Sequence, residues 1–182
     1  MKRFFFAFFI SISLCLSQEL SSFPTDLTVE SFDGVQIHGT YLESNSDKLT
    51  IIVAGSGPTD RDGNNPLYKN NSLKMLAEAL YEQDISSFRY DKRGIGASVK
   101  GVVSEDHLMF DDYINDLGSI INFFKKTPKY NQIIVIGHSE GSLISSIAFQ
   151  KYSYDKFVSI AGTSVDILSC LLYTSPSPRD EK

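Results

Sequence analysis

The chain has 182 residues, of which 42% are hydrophobic, so it can form one domain with a buried core. Its net charge is −5, and residues 18–169 carry −7, because Lys2 and Arg3 are the only charges before them and the charges after them cancel. An acidic domain is poorly suited to nucleic acid or to an anionic membrane, so we expect neither as a partner.

The N-terminal segment is typical of a secretory signal peptide. Met1-Lys2-Arg3 precede an apolar run that ends at Ile10, and small residues follow up to Ser17. We expect cleavage after Ser17 and export to the periplasm or out of a bacterial cell. The run is too short for a stable membrane anchor, and a buried N-terminal helix, the alternative, would show regularly spaced polar residues.

The next elements predict an antiparallel hairpin and a buried strand. Thr28–Phe32 and Val35–Leu42 have strand-like composition, and Asp33-Gly34 between them is typical of a two-residue type I′ turn. Leu49–Ala54 is a continuous apolar run, as expected of a strand that is covered on both faces. Residues 55–65 are rich in Gly, Asp and Asn and form a loop.

Helices and strands alternate through the rest of the chain. Helical spacing occurs at Ser72–Leu80 and Asp112–Phe124, and further strands are predicted at Ile85–Tyr90, Gln132–Ile136 and Phe157–Ala161. This order predicts a doubly wound, mostly parallel α/β sheet that forms one domain over residues 18–169. Ligands of such sheets bind beyond the carboxyl ends of the strands, so the loops that start there should form the site.

A possible nucleophile lies in Gly137-His138-Ser139-Glu140-Gly141, between the strand Gln132–Ile136 and a helix predicted at Ser142–Phe149. A serine in a G-x-S-x-G turn between strand and helix sits on a strained elbow that lifts its hydroxyl above the sheet. The glycines avoid collisions with neighbouring backbone, and the helix N-terminus favours negative charge at the same place. The motif alone is common, but its placement favours a nucleophilic Ser139 over an ordinary turn.

Three motifs together resemble the α/β-hydrolase superfamily. They are Gly55-Ser56-Gly57-Pro58, Asp91-Lys92-Arg93-Gly94-Ile95-Gly96-Ala97-Ser98 and the Ser139 elbow, in that order, and the likeness covers Leu27 to Ser169. Within this superfamily the chain resembles bacterial secreted esterases and serine aminopeptidase-like (S33-type) hydrolases. The resemblance implies a serine hydrolase that cleaves carboxylic esters through an acyl-enzyme. An aminopeptidase-like peptidase and a non-catalytic binding protein with this fold are the alternatives.

The resemblance also implies an oxyanion hole. One N–H donor is expected from Glu140 and the second from Ser56, with Gly57 beside it, although Ala54-Gly55 stands where the family often has His-Gly. The expected substrate is a small acyl ester or a peptide.

No cofactor or metal is expected. Asp60, Asp62 and Asn64 mimic the start of a calcium loop, but the residues that should be Gly and Glu are Asn65 and Asn71. We instead expect Arg61 to pair with a carboxylate and Arg93 to hold its own loop in place.

The catalytic base and acid are not evident from the sequence. The fold's order is Ser, then Asp or Glu, then His, yet no histidine follows Ser139. His38 belongs to the hairpin, His138 should point away from Ser139, and His107 and Asp166 are weak candidates for base and acid.

The C-terminal segment, residues 170–182, looks foreign to the domain. Cys170 to Asp180 match a translated sequencing-library adapter, so we expect the natural chain to continue past Ser169 with further strands, the acid and the histidine. We therefore expect the 182-residue fragment to be inactive. With Cys15 and Cys170 both outside residues 18–169, the domain should contain no disulfide or thiol chemistry.

Overall fold

The computed structural model describes residues 23–100 and 108–163, which form a six-stranded mixed sheet with helices on both faces. The strands and helices, in chain order, are β1 (Thr25–Glu30), β2 (Gln36–Leu42), β3 (Lys48–Val53), α1 (Ser72–Glu82), β4 (Ser86–Tyr90), α2 (Phe110–Lys125), β5 (Gln132–His138), α3 (Glu140–Lys151) and β6 (Lys156–Ile160).

The sheet order is β1-β2-β4-β3-β5-β6. β1 pairs antiparallel with β2, and β2 antiparallel with β4, whereas β4, β3, β5 and β6 run parallel. The predicted opening hairpin, parallel sheet and α/β class are confirmed. The buried apolar strands β3 and β5 lie at the centre of the parallel part, as expected of strands covered on both faces.

The turn between β1 and β2 differs from the prediction. A type I′ turn requires positive φ at both central residues, but Asp33 has no positive φ and only Gly34 does, at 87°. The Gly34 N–H donates to Ser31 O, and the Ser31 N–H donates to Val35 O. The connection is therefore a longer turn that closes on one left-handed glycine, a form that Asp-Gly also supports.

Two apolar clusters hold the helices against opposite faces of the sheet. The larger lies under α2 and α3 and includes Phe88, Leu117 and Ile144, and the smaller packs α1 against Ile52 through Leu73. Alternate side chains of each strand point to opposite faces, so a strand such as β3 contributes to both clusters.

Buried ion pairs secure the loop that follows β4. Arg93 donates to both carboxylate oxygens of Asp116 on α2, at 2.9 and 2.6 Å, and to both of Asp33 in the first turn, at 2.6 and 3.1 Å. The prediction that Arg93 holds this loop is confirmed. Arg61 likewise pairs with Asp91 at 2.8 Å, as predicted, and Arg89 pairs with Asp62 at 2.8 Å.

β6 is the last strand of the described sheet and pairs there only with β5. Val158 and Ile160 remain 42% and 38% exposed. No helix within residues 23–100 and 108–163 is long and apolar enough to cross a membrane. The predicted signal peptide (residues 1–17), the adapter-like tail (170–182), His107 and Asp166 lie outside the described residues.

Candidate active site

Ser139 lies at the sharp turn between β5 and α3. Its backbone has φ 53° and ψ −117°, a conformation that non-glycine residues rarely adopt. The Ser139 N–H donates to Ile160 O at the end of β6 (2.9 Å), and the Ser142 N–H donates to Ser139 O (2.9 Å). Such strain costs on the order of 1–3 kcal/mol and persists only where surrounding structure enforces it, as it commonly does at active sites.

The two glycines of the motif allow the elbow to close. A Cβ on Gly137 would lie 2.6 Å from Ser142 Cα, and one on Gly141 would lie 2.7 Å from Ala54 O. Both neighbours are backbone atoms and cannot rotate away. Neither position can therefore carry a side chain while β5, α3 and β3 stay this close.

We expect Gly141→Ala to displace α3 from β3 and to lower both stability and serine reactivity. The clash with backbone should destabilise the protein by about 1–3 kcal/mol, as overpacking of a close-packed interior does. Thermal unfolding measures the first effect, and the rate of fluorophosphonate labelling measures the second. Gly34→Ala is the matched control: an added Cβ there meets no atom within 4 Å, so that variant carries only the strain of its positive φ. Equal labelling rates in the two variants would contradict the prediction.

The loop after β3 runs beside the elbow. Gly55 is buried, and a Cβ on it would lie 3.3 Å from Ser139 Cβ. Ser56 and Gly57 are exposed, and Gly57 has a positive φ of 70°. Among the described residues no acceptor is bonded to the Ser56 N–H. The Glu140 N–H lies in the first turn of α3, where helical N–H groups lack helical partners. Ser56 thus follows a residue that lies beside Ser139, and Glu140 follows Ser139 directly in the chain.

Lys92 connects these two parts of the site, and the sequence analysis did not single it out. Its buried ammonium donates to Gly55 O (2.7 Å) and to the Glu140 carboxylate (2.9 Å). Its position in the sequence could have indicated this role, because Lys92 lies between Asp91 and Arg93 in a loop that begins at the carboxyl end of β4, the same sheet edge as the elbow.

Neither described histidine forms a hydrogen bond with Ser139 Oγ. His38 on β2 bonds through Nδ1 to Thr28 Oγ1 (3.0 Å). His138 is exposed, and its Nδ1 faces Gly55. Within residues 23–100 and 108–163 no side chain forms a hydrogen bond with Ser139 Oγ, and the nearest contacts of both histidines are with other residues.

The Asp60–Asn64 segment forms a structural turn. Asp60 Oδ1 accepts hydrogen bonds from the backbone N–H groups of Asp62 (2.9 Å) and Asn64 (2.8 Å), and Asp62 pairs with Arg89. These carboxylates therefore shape the loop beside the site. The described ranges hold no group of three or more His, Cys, Asp or Glu side chains that could bind a metal ion.

A mixed sheet of this order, with a serine elbow after β5 and a glycine-containing loop beside it after β3, is typical of the α/β-hydrolase fold. The chain belongs to the family described as serine aminopeptidase, S33, whose model matches residues 70–167, more than half of the chain. No curated protein sequence is significantly similar to it.

Solved structures support the fold. An esterase from Pyrococcus furiosus has a TM-score of 0.59 and 21% identity over 74% of this chain and 48% of its own. A serine hydrolase without a lid from Xanthomonas campestris has a TM-score of 0.60 and 23% identity over 79% and 64%. An esterase from Exiguobacterium antarcticum has a TM-score of 0.59 and 15% identity over 77% and 46%.

The chain therefore spans about half to two thirds of the length of these structures. At these identities the likeness shows the fold. Together, family and fold place the chain in the α/β-hydrolase superfamily, as the sequence motifs predict.

Proposed function

We propose that the full-length protein is a serine hydrolase that cleaves carboxylic esters through an acyl-enzyme on Ser139. The observation that carries this proposal is the enforced backbone strain at Ser139, on an elbow whose two glycines allow no side chain. Strain of this kind is useful where a hydroxyl must project into a site, and an ordinary strand-to-helix turn does not need it.

In the proposed reaction, Ser139 Oγ attacks the acyl carbon and gives its proton to a general base. The carbonyl oxygen becomes an oxyanion that accepts hydrogen bonds from the N–H groups of Ser56 and Glu140. The alcohol leaves with the proton, and water then hydrolyses the acyl-enzyme to release the acid. We propose that the base and its orienting acid come from the natural chain beyond Ser169.

An ester substrate agrees with the charges around the nucleophile. An aminopeptidase needs a carboxylate free to bind the α-amino group of its substrate. Glu140, the carboxylate next to Ser139, is already paired with Lys92. The family name favours the second candidate, an aminopeptidase-like peptidase, whose amine-binding carboxylate would have to come from another part of the full-length protein.

Two measurements test the proposal. A fluorophosphonate probe should label the full-length protein, and peptide mapping should place the adduct on Ser139. Absence of labelling would favour a non-catalytic binding protein. Rates on p-nitrophenyl acetate and on an aminoacyl p-nitroanilide then separate the two hydrolases. Faster turnover of the anilide would replace the esterase by the peptidase.

A further inference from the structure

The contacts of Lys92 extend beyond those of a structural ion pair. Its side chain is only 4% exposed, and its Nζ donates to Gly55 O (2.7 Å) and Glu140 Oε2 (2.9 Å). The ammonium also lies 5.3 Å from the centroid of the Tyr113 ring. One cation on the loop after β4 therefore links the loop after β3 to the first turn of α3.

The first contact sets the direction of an N–H group. Gly55 O and the Ser56 N–H belong to the same planar peptide unit, and the chain has no cis peptide bond within its described residues. In a trans unit the two groups point in opposite directions, so holding the oxygen aims the N–H away from Lys92. A charged donor on the carbonyl also polarises the peptide, which makes its N–H a stronger donor.

The second contact holds the other donor. Glu140 is the first residue of α3, and its N–H is the one expected to face the oxyanion beside Ser56. The ion pair ties the Glu140 side chain to the same ammonium that holds Gly55. The relative position of the Ser56 and Glu140 donors therefore depends on one side chain.

The ammonium also balances charge next to the nucleophile. The Glu140 carboxylate follows Ser139 directly, and its negative charge would oppose the formation of an oxyanion there. Lys92 pairs with this carboxylate at 2.9 Å. Without the lysine, the carboxylate of the residue that follows the nucleophile would lose its ion-pair partner.

We propose that Lys92 is a positioning residue that orients the Ser56 and Glu140 N–H donors and neutralises the Glu140 carboxylate. This inference rests on the proposed serine hydrolase function. It assigns Lys92 no contact with the substrate, and its effect is exerted through the two donors.

Lys92→Met in the full-length protein tests the proposal. Donors of an oxyanion act mainly in the transition state, and deletion of one lowers kcat by about 10²–10³-fold. Misalignment of the donors should lower kcat less than deletion of one donor does. We therefore expect kcat to fall by about 10- to 100-fold, while KM changes by less than about threefold. Adding Glu140→Gln to Lys92→Met should restore part of the loss, because the unpaired charge is then removed.

Lys129→Met is the matched control. Lys129 Nζ also bridges a carboxylate and a backbone carbonyl, Glu43 Oε1 (2.6 Å) and Ser44 O (2.5 Å), and lies 5.7 Å from the centroid of the Tyr130 ring. Its partners belong to neither the elbow nor the donor loop. We expect kcat and KM of Lys129→Met to match those of the unaltered protein.

A trifluoromethyl ketone ester analogue gives a second readout, since the serine converts it into a tetrahedral oxyanion. The affinity of the protein for this inhibitor should fall in Lys92→Met by about the same factor as kcat, because both depend on the donors.

Unchanged kcat and inhibitor affinity in Lys92→Met, in a protein that Ser139→Ala inactivates, would overturn the role of Lys92 alone. Full activity of Ser139→Ala would overturn the proposed function and this inference together. Equal kinetic losses in Lys92→Met and Lys129→Met would reduce Lys92 to a structural role.

Discussion

Ser139→Ala is expected to lower kcat of the full-length protein by about 10⁵-fold or more, the loss typical of removing a covalent nucleophile. The hydroxyl oxygen forms the bond to the acyl carbon, and no other side chain occupies the elbow between β5 and α3. Any residual rate would come from the donors of Ser56 and Glu140, which could still stabilise attack by water. Initial rates on p-nitrophenyl acetate measure this effect.

The fold should survive this substitution. The elbow is held by backbone groups, namely the Ser139 N–H on Ile160 O and the Ser142 N–H on Ser139 O. Alanine retains both hydrogen bonds, so circular dichroism and the unfolding temperature should be nearly unchanged. Ser146→Ala is the matched control on the same helix, because it removes only a hydroxyl that donates to Leu143 O. Equal activity of Ser139→Ala and Ser146→Ala would exclude the acyl-enzyme.

Much of the fold could be predicted from local sequence patterns. β3 and β5 are continuous apolar runs, and α2 has regular apolar spacing, so both types of element were evident without tertiary information. The elbow was equally evident, because Gly137, Ser139 and Gly141 lie within five consecutive residues. The turn at Gly34 was predicted less well, since Asp-Gly is compatible with more than one turn geometry.

Long-range pairing could not be predicted in the same way. Lys92 is 37 residues from Gly55 and 48 from Glu140 in sequence, and only the parallel order of β4, β3 and β5 brings them together. Pattern and composition do not state which strand lies beside which. The same limit applies to Arg93, whose loop-holding role was predicted although its partners were not.

Arg93→Met is expected to destabilise the protein by about 3–5 kcal/mol, the cost of removing one partner of a buried ion pair. The Arg93 side chain is 6% exposed, and that of Asp116 on α2 is 1% exposed. Without the guanidinium, the hydrogen bond from Ser31 is the one side-chain contact that Asp116 keeps among the described residues. The link to Asp33 in the first turn is lost as well, so β1 and β2 should loosen against α2. Urea or thermal unfolding measures the change.

An exposed ion pair provides the control for this prediction. Lys74 and Glu78 on α1 lie 3.8 Å apart, and their side chains are 44% and 52% exposed. Because such pairs contribute little, Lys74→Met should change the free energy of unfolding by less than about 0.5 kcal/mol. A similar small change in Arg93→Met would show that the buried network does not stabilise the fold. Asp116→Asn added to Arg93→Met should recover part of the loss, since an unpaired amide is less costly to bury than a charge.

At acid pH, the free energies of unfolding of the unaltered protein and of Arg93→Met should differ by less than they do at neutral pH. The hydrogen bond from Arg93 lowers the pKa of Asp33 below 3.8, so the stability that Asp33 contributes is present above this pH and lost as pH falls through the lowered value. Burial raises the pKa of Asp116, and loss of Arg93 removes the main hydrogen bond that opposes this rise. The variant should therefore bind a proton at Asp116 on folding, which favours its folded state at lower pH. Unfolding at pH 7 and at about pH 3 measures the trend, and a free-energy difference that stays constant or widens in acid would show that Asp33 and Asp116 do not carry the effect of Arg93.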